Sequence, residues 1–267
     1  MALKFLSTLP FVKEARIDNE NVQLENFLLV GKLDMDDWAV DVDCLRVQLA
    51  LVLINIPFQL VPNLQPEASS SGHLPVFIYE NDAYFNGIEQ INVLLEEKCG
   101  YLIDSKEASL LSLLNDKIRP IIWFSIWIDP DGDAYAQKQT SSSVALLNMP
   151  RFLKAMLTSQ ARTPLRRLIF SYLDDKSSTK AVYDELNYSL ELIENALLED
   201  SETLPWLSKK EVPGLSDCTL LSIIHIMLGK GEDITDHLPV LRHAVLSRKA
   251  LIDYHSRGMN WFKSKSK

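Results

Sequence analysis

The stretch HLPVFIYENDAYFNG, residues 73 to 87, constrains the fold of this 267-residue chain more than any other. Two apolar runs, VFIY and AYF, flank the polar residues 80 to 82. Short apolar runs on either side of a polar turn predict a β-hairpin. The pair Leu74-Pro75 stands at the head of the first run, so a proline opens this strand.

The elements around the hairpin alternate between strand and helix. The run from Phe27 to Val30 is typical of a buried strand, and DCLRVQLALVLIN is a helix that acids precede and that is apolar on nearly every face. FQLVPN predicts a second strand, and a helix from about Ile88 to Lys98 ends at Cys99-Gly100. This order, with a proline opening the third strand, resembles the thioredoxin-like arrangement of glutathione-transferase N-terminal domains, in which that proline is usually cis.

The chain after residue 101 is predicted to be helical. A helix with a proline kink at Pro120 comes first, a single-face apolar pattern follows at Leu186, Leu190, Ile193 and Leu197, and a last helix runs from about Ile234 to His255. The fold class is therefore α+β and glutathione-transferase-like, a thioredoxin-like N-terminal domain followed by an all-α C-terminal domain. The predicted limits are 1–24 for a lead-in, 25–100 and 101–256 for the two domains, and 257–267 for a basic tail.

Composition and charge exclude several classes of function. The net charge of −9 argues against a nucleic-acid partner, and neither GxGxxG nor GxxxxGK[ST] occurs. Three cysteines without paired spacing indicate a reducing compartment. No run reaches the roughly 20 apolar residues of a spanning helix.

The segment from Arg242 to the C-terminus holds seven Lys or Arg and one acid, Asp253. It is either a solvated, frayed tail or a contact for an anionic membrane or an acidic partner.

Residues that could carry chemistry are few. Cys44, near the start of the first helix, is the best candidate nucleophile, because a helix N-terminus lowers a thiol pKa. Asp41 and Asp43 oppose this, and a semi-buried structural thiol is the alternative. DPDGDAY from Asp129 lacks the Gly and Glu of a calcium loop and indicates a solvated acidic turn. The histidines show no metal spacing, and His225 is expected to be a hydrogen-bonded core residue. No metal or cofactor is predicted.

Two further segments stand out. In GLSDCTLL, Gly214 is the expected N-cap and Asp217 is placed to accept from its backbone N–H, which is a folding device. Residues 151 to 167 combine basic and apolar side chains with no acid, which predicts a basic amphipathic pair of helices. That surface can lie on a membrane, fit an acidic groove, or form an outer layer of the domain. Its candidate residues are Arg151, Phe152, Lys154, Arg162, Arg166 and Arg167.

In its details the chain resembles the metaxins, glutathione-transferase-like proteins of the mitochondrial outer membrane. The resemblance runs from about residue 25 to 255 and is carried, in order, by DCLRVQLALVLINIPFQL, SSSGHLPVF, KIRPIIWFSIWID, NMPRF and VPGLSDCTLL. It implies a non-enzymatic scaffold on the cytosolic face of that membrane, acting in β-barrel import and assembly, in mitochondrial transport, or in both. The implied partners are a second metaxin-like chain, an outer-membrane β-barrel assembly protein, the mitochondrial Rho GTPase and kinesin light chain, with membrane contact peripheral or through a partner.

The ligand groove departs from that of active glutathione transferases. Where those enzymes carry an acidic or amide residue followed by Ser, this chain has Asn86-Gly87, so the Ser hydroxyl is missing. We therefore expect a degenerate groove formed by Cys44, Leu74, Pro75, Asn86 and Gly87. The alternative is a divergent glutathione transferase or glutathione-dependent thiol transferase that uses Cys44.

Overall fold

The structure is a computed structural model. It describes residues 27–30, 33, 37–62, 74–79, 83–86, 93, 103–133, 136, 151–173, 178–199, 205–229 and 238–266. The predicted helix from Ile88 to Lys98 lies outside these residues except at Val93, which is helical.

A four-stranded mixed sheet forms the N-terminal part. Its strands are β1 (Phe27–Val30), β2 (Gln59–Pro62), β3 (Val76–Tyr79) and β4 (Ala83–Asn86), in the spatial order β2-β1-β3-β4. β1 pairs in parallel with β2, with Phe27 opposite Gln59. The pairs β1/β3 and β3/β4 are antiparallel. The four strands confirm the strand and hairpin predictions.

Helix α1 (Val42–Leu53) connects the two parallel strands and is buried on nearly all sides, as its apolar sequence predicts. Even its polar residues are enclosed. Gln48, 3% exposed, accepts from the backbone N–H of Ala39 at 3.0 Å and donates to the carbonyl of Asp37 at 2.8 Å. Buried polar side chains of this kind are hydrogen-bonded because an unpaired polar group in the core is costly.

The first helices after the sheet form an interrupted pair. α2 (Ser105–Ser112) leads into a π-helical segment (Leu113–Ile118), and α3 (Arg119–Trp127) follows at once. The interruption predicted at Pro120 thus takes the form of a π segment directly before it. Pro120 lacks an N–H, and its ring excludes the carbonyl four residues earlier, so the regular helical pattern is broken in the preceding turn.

The basic segment forms one helix, α4 (Arg151–Tyr172), and not the predicted pair. A proline inside a helix costs about 3 kcal/mol, so a break near Pro164 would be ordinary. Thr158 and Ile169, on either side of that proline along the chain, are both buried. We infer that packing of both halves into the body outweighs the proline penalty.

The chain then continues with α5 (Thr179–Leu198) and α6 (Leu215–Met227). The predicted single-face pattern of α5 is confirmed, because Leu186, Leu190 and Ile193 are all buried. Every residue of α6 is buried. α6 packs against α1 and α2, so it is the central element of the helical part.

The predicted last helix is in fact two, α7 (Pro239–Leu246) and α8 (Lys249–Lys265). Arg248 has an extended backbone, and its guanidinium donates to the carbonyl of Ala244 at 2.5 Å. The side chain therefore satisfies a carbonyl that the end of α7 leaves open. Of the two alternatives for the basic C-terminal segment, the frayed tail disagrees with the structure, because α8 extends to Lys265 and buries Gly258 and Phe262.

None of the helices among the described residues is long and apolar enough to cross a membrane. Within the same part of the chain, no three His, Cys, Asp or Glu side chains form a group suited to a metal ion.

Candidate functional site

The structure describes the predicted groove residues only in part. The peptide bond between Leu74 and Pro75 is cis, as predicted, and Pro75 is buried. Cys44 is 1% exposed and belongs to the main hydrophobic core. Asn86 is the last residue of β4, while its side chain and Gly87 lie outside the described residues. The degenerate groove therefore stays a prediction at that end.

The N-terminus of α1 is capped by a carboxylate of the chain itself. Asp41 Oδ1 accepts from the backbone N–H groups of Asp43 and Cys44, both at 3.0 Å. Its backbone carbonyl accepts from Leu45 N–H at 2.9 Å. Unpaired N–H groups at a helix N-terminus are the ones that bind anions. Here two of them already hold an anion, so a thiolate at this helix end must compete with Asp41.

A second carboxylate, Asp43, ties α1 to α3. It forms an ion pair with Arg119, and the Arg119 guanidinium lies 4.4 Å from the centre of the Trp123 ring. Burial raises the pKa of the Asp43 carboxyl, and the neighbouring Arg119 opposes that rise. The pair joins the sheet-bearing half to the helical half next to Cys44.

Arg46 adds a buried cation at the same junction. It is 4% exposed and donates to Asn115 Oδ1 at 3.1 Å. Burial lowers the pKa of Arg46 to about 10, against the attraction of Asp43. Sequence reasoning missed Arg46, Asn115 and Arg119. The one available signal was an arginine in the middle of an otherwise apolar helix.

The predicted capping device at α6 is confirmed and extends further than expected. Asp217, 0% exposed, accepts from Gly214 N–H at 2.7 Å, from Leu207 N–H at 2.7 Å and from the Tyr254 hydroxyl at 2.5 Å. A second buried acid, Glu107, accepts from Lys210 Nζ at 2.7 Å. Both carboxylates hold the start of α6 and have no accessible face for chemistry.

Two other sequence predictions have structural outcomes. Asp129, expected in a solvated turn, is 6% exposed and accepts from Tyr183 Oη at 2.7 Å and from Asp131 N–H at 3.0 Å. Asp129 is therefore a buried polar anchor of the turn, while Pro130, Asp131 and Asp133 are exposed. His225 is a core residue as predicted, with Nδ1 lying 3.2 Å from Nε2 of His255.

The predicted basic surface lies along α4. Arg162 forms an ion pair with Asp133, and the Arg166 guanidinium lies 5.4 Å from the centre of the Phe170 ring. Arg167 is exposed. Arg151, Phe152 and Lys154 are in the same helix, and their side chains are outside the described set.

Comparisons with known proteins agree on the fold. Residues 42–132 match the family described as glutathione S-transferase N-terminal domain. No curated protein matches the chain significantly. Two glutathione S-transferases of Ceriporiopsis subvermispora, both in complex with glutathione, share 11% and 10% identity, with TM-scores of 0.54 and 0.53. The first covers 90% of this chain and the second 91%, in each case over 98% of the other protein.

A glutathione transferase of Phanerochaete chrysosporium is also similar, with 13% identity, a TM-score of 0.52, and coverage of 88% of this chain and 96% of that protein. Identities this low show a shared fold and not a shared activity. The chain therefore has a glutathione-transferase-like fold, with a thioredoxin-like N-terminal domain and a helical C-terminal region.

Proposed function

We propose that the chain is a non-enzymatic, metaxin-like scaffold at the cytosolic face of the mitochondrial outer membrane. Its role there would be β-barrel protein import and assembly, mitochondrial transport, or both, through a pair with a second metaxin-like chain. The ordered motifs from DCLRVQLALVLINIPFQL to VPGLSDCTLL support the family, and the glutathione-transferase-like fold agrees with it.

One observation carries the non-enzymatic part of the proposal, namely the burial of Cys44. A reactive cysteine needs an accessible thiolate in an electropositive surrounding. Cys44 is 1% exposed, and the helix N–H groups beside it are bound to the Asp41 carboxylate. The only nucleophile that the sequence offers at this helix is therefore enclosed in the core.

The same junction favours a scaffold for a second reason. The Arg119–Asp43 pair and the Arg46–Asn115 hydrogen bond cross between α1 and the α2–α3 segment. They hold the two halves together at the place where a thioredoxin-like domain would present a reactive group. Fixed relative placement of two halves suits a protein that presents surfaces to partners.

Affinity purification of the tagged full-length chain from mitochondrial membranes tests the scaffold. We expect recovery of a second metaxin-like chain, together with an outer-membrane β-barrel assembly protein, the mitochondrial Rho GTPase or kinesin light chain. A tagged glutathione transferase of similar size serves as the control for non-specific capture. Failure to recover a metaxin-like chain, with no mitochondrial association in fractionation, would refute the proposal.

Glutathione affinity and thiol-transfer assays test the rival activity. We expect no activity from the wild-type chain, from Cys44→Ser or from Cys218→Ser. Cys218 is the matched control, because it is a cysteine that is equally buried but lies in α6. A thiol-transfer rate that Cys44→Ser abolishes and Cys218→Ser preserves would establish a glutathione-dependent thiol transferase instead.

A further inference from the structure

Helix α4 carries an unusual charge for a chain that is acidic overall. Its 22 residues include five Lys or Arg and no Asp or Glu, whereas the whole chain has a net charge of −9. At 1.5 Å per residue the helix is about 33 Å long. It is therefore an extended basic rod on a strongly acidic body.

The outer side of α4 is apolar as well as basic. Met156, Leu168 and Tyr172 are exposed to 49%, 43% and 45%, while Thr158 and Ile169 are buried. At about 100° of rotation per helical residue, Met156 and Arg167 lie opposite the buried pair, whereas Leu168 and Tyr172 lie on one flank of the helix and Arg166 on the other. Arg167 directly precedes Leu168 and is exposed too. Large apolar side chains and cations on the solvent side of one helix are the pattern of a helix that lies in a membrane interface.

The cations of this face keep their charge available. Arg166 lies over the Phe170 ring, a contact that leaves its charge intact. Among the described residues, neither Arg166 nor Arg167 forms an ion pair. Arg162, by contrast, forms an ion pair with Asp133.

We propose that the outer face of α4, made of Met156, Arg166, Arg167, Leu168 and Tyr172, is a peripheral contact surface for an anionic lipid bilayer. Among the described elements α4 packs chiefly on α3, and its exposed side chains lie on the convex surface of a single helix, which suits a bilayer. Near an anionic bilayer the basic helices α4 and α8 are attracted and the acidic remainder of the body is repelled, so the charge variants in the two helices decide which of them faces the membrane. Which membrane this surface contacts in the cell rests on the proposed function, which places the chain at the mitochondrial outer membrane.

Vesicle co-sedimentation of the full-length chain tests this surface. Vesicles of phosphatidylcholine with phosphatidylinositol should bind the chain in a salt-sensitive manner, and pure phosphatidylcholine vesicles should not. Arg166→Gln/Arg167→Gln should lower the partition coefficient about 30-fold, since each cation near the surface contributes about fivefold. The matched control is Lys249→Gln/Lys263→Gln, which removes the same charge from exposed positions of α8 and should leave binding within twofold of wild type.

The apolar part of the surface has a matched pair of its own. Leu168 in α4 and Leu192 in α5 are exposed to 43% and 42%. Leu168→Asp should weaken vesicle binding and Leu192→Asp should not, with both variants melting within a few degrees of wild type. Equal losses from both charge variants, equal losses from both aspartates, or equal binding to neutral vesicles would each overturn the inference.

These results are separable from the proposed function. Absence of vesicle binding with recovery of a second metaxin-like chain would reject the membrane surface and keep the scaffold. Vesicle binding through α4 without any such partner would keep the surface and reject the scaffold.

Discussion

Replacing Asp217 by alanine should destabilise the protein more than any other exchange of a single polar residue at the start of α6. The carboxylate is fully buried and accepts three short hydrogen bonds, from Gly214 N–H, Leu207 N–H and the Tyr254 hydroxyl. Alanine leaves all three donors in the core without an acceptor. Each unsatisfied buried donor costs about 1–3 kcal/mol.

The expected loss in the free energy of unfolding is about 4 kcal/mol, because some relief comes from no longer burying a charge. Ordinary proteins unfold with about 5–15 kcal/mol, so this is a large fraction of the total. In a chain of this size it lowers Tm by roughly 10 °C. Urea unfolding followed by tryptophan fluorescence measures it, since Trp206 adjoins Leu207 and packs edge-to-face against Tyr254.

Two controls make the result specific to the hydrogen bonds. Tyr254→Phe removes one donor and should cost about 1–2 kcal/mol, with a coupling to Asp217 visible in the double variant. Asp253→Ala, at an exposed position of α8, should change stability by no more than about 0.5 kcal/mol. If Asp217→Ala costs no more than Asp253→Ala, the carboxylate does not hold the start of α6 and the reasoning fails.

Three further changes test other contacts. Arg119→Ala should lower the free energy of unfolding in urea by about 2 kcal/mol, since it removes the ion-pair partner of the half-buried Asp43. A loss smaller than that caused by replacing an exposed arginine would contradict the pairing. Gly258→Ala should destabilise the protein by about 1–3 kcal/mol, because the new Cβ would lie 2.5 Å from Leu221 Cδ2. The loss of stability should be smaller when Leu221→Ala is also present. The N-cap Asp104 accepts a backbone hydrogen bond that lowers its pKa, so its contribution is complete above about pH 4 and lost on further acidification. An NMR titration giving Asp104 an ordinary pKa would refute this.

Local sequence patterns were sufficient for the strands and the α6 cap, whereas the cis peptide was expected from the resemblance to thioredoxin-like domains. The hairpin follows from two apolar runs around a polar turn, and Asp217 lies three residues after Gly214, which is a fixed capping distance. Each of these features is decided within a few residues of chain. Burial of α1 was equally predictable, because a helix that is apolar on all faces has no side for water.

Features that depend on distant partners were not predictable. Arg119 is 76 residues from Asp43, and Arg46 is 69 residues from Asn115. No sequence periodicity links such pairs, so only the packing of the helices reveals the junction. The continuity of α4 has the same origin. Local propensity predicts a break near Pro164, and burial of Thr158 and Ile169 against the body overrides it.

The two obstacles to thiol chemistry at α1 are unequal in size, and the difference decides which one supports a non-enzymatic role. An N-cap carboxylate contributes about 1 kcal/mol to a helix, so displacing Asp41 would weaken a bound thiolate only about fivefold. Competition of that size reduces ligand binding without preventing a reaction. Burial of Cys44 acts differently, since a thiol that is 1% exposed meets no substrate until α1 separates from the core around it. That opening breaks the Arg119–Asp43 and Arg46–Asn115 contacts between the two halves. The proposal of a non-enzymatic role therefore depends on the packing of α1 far more than on the charge beside it.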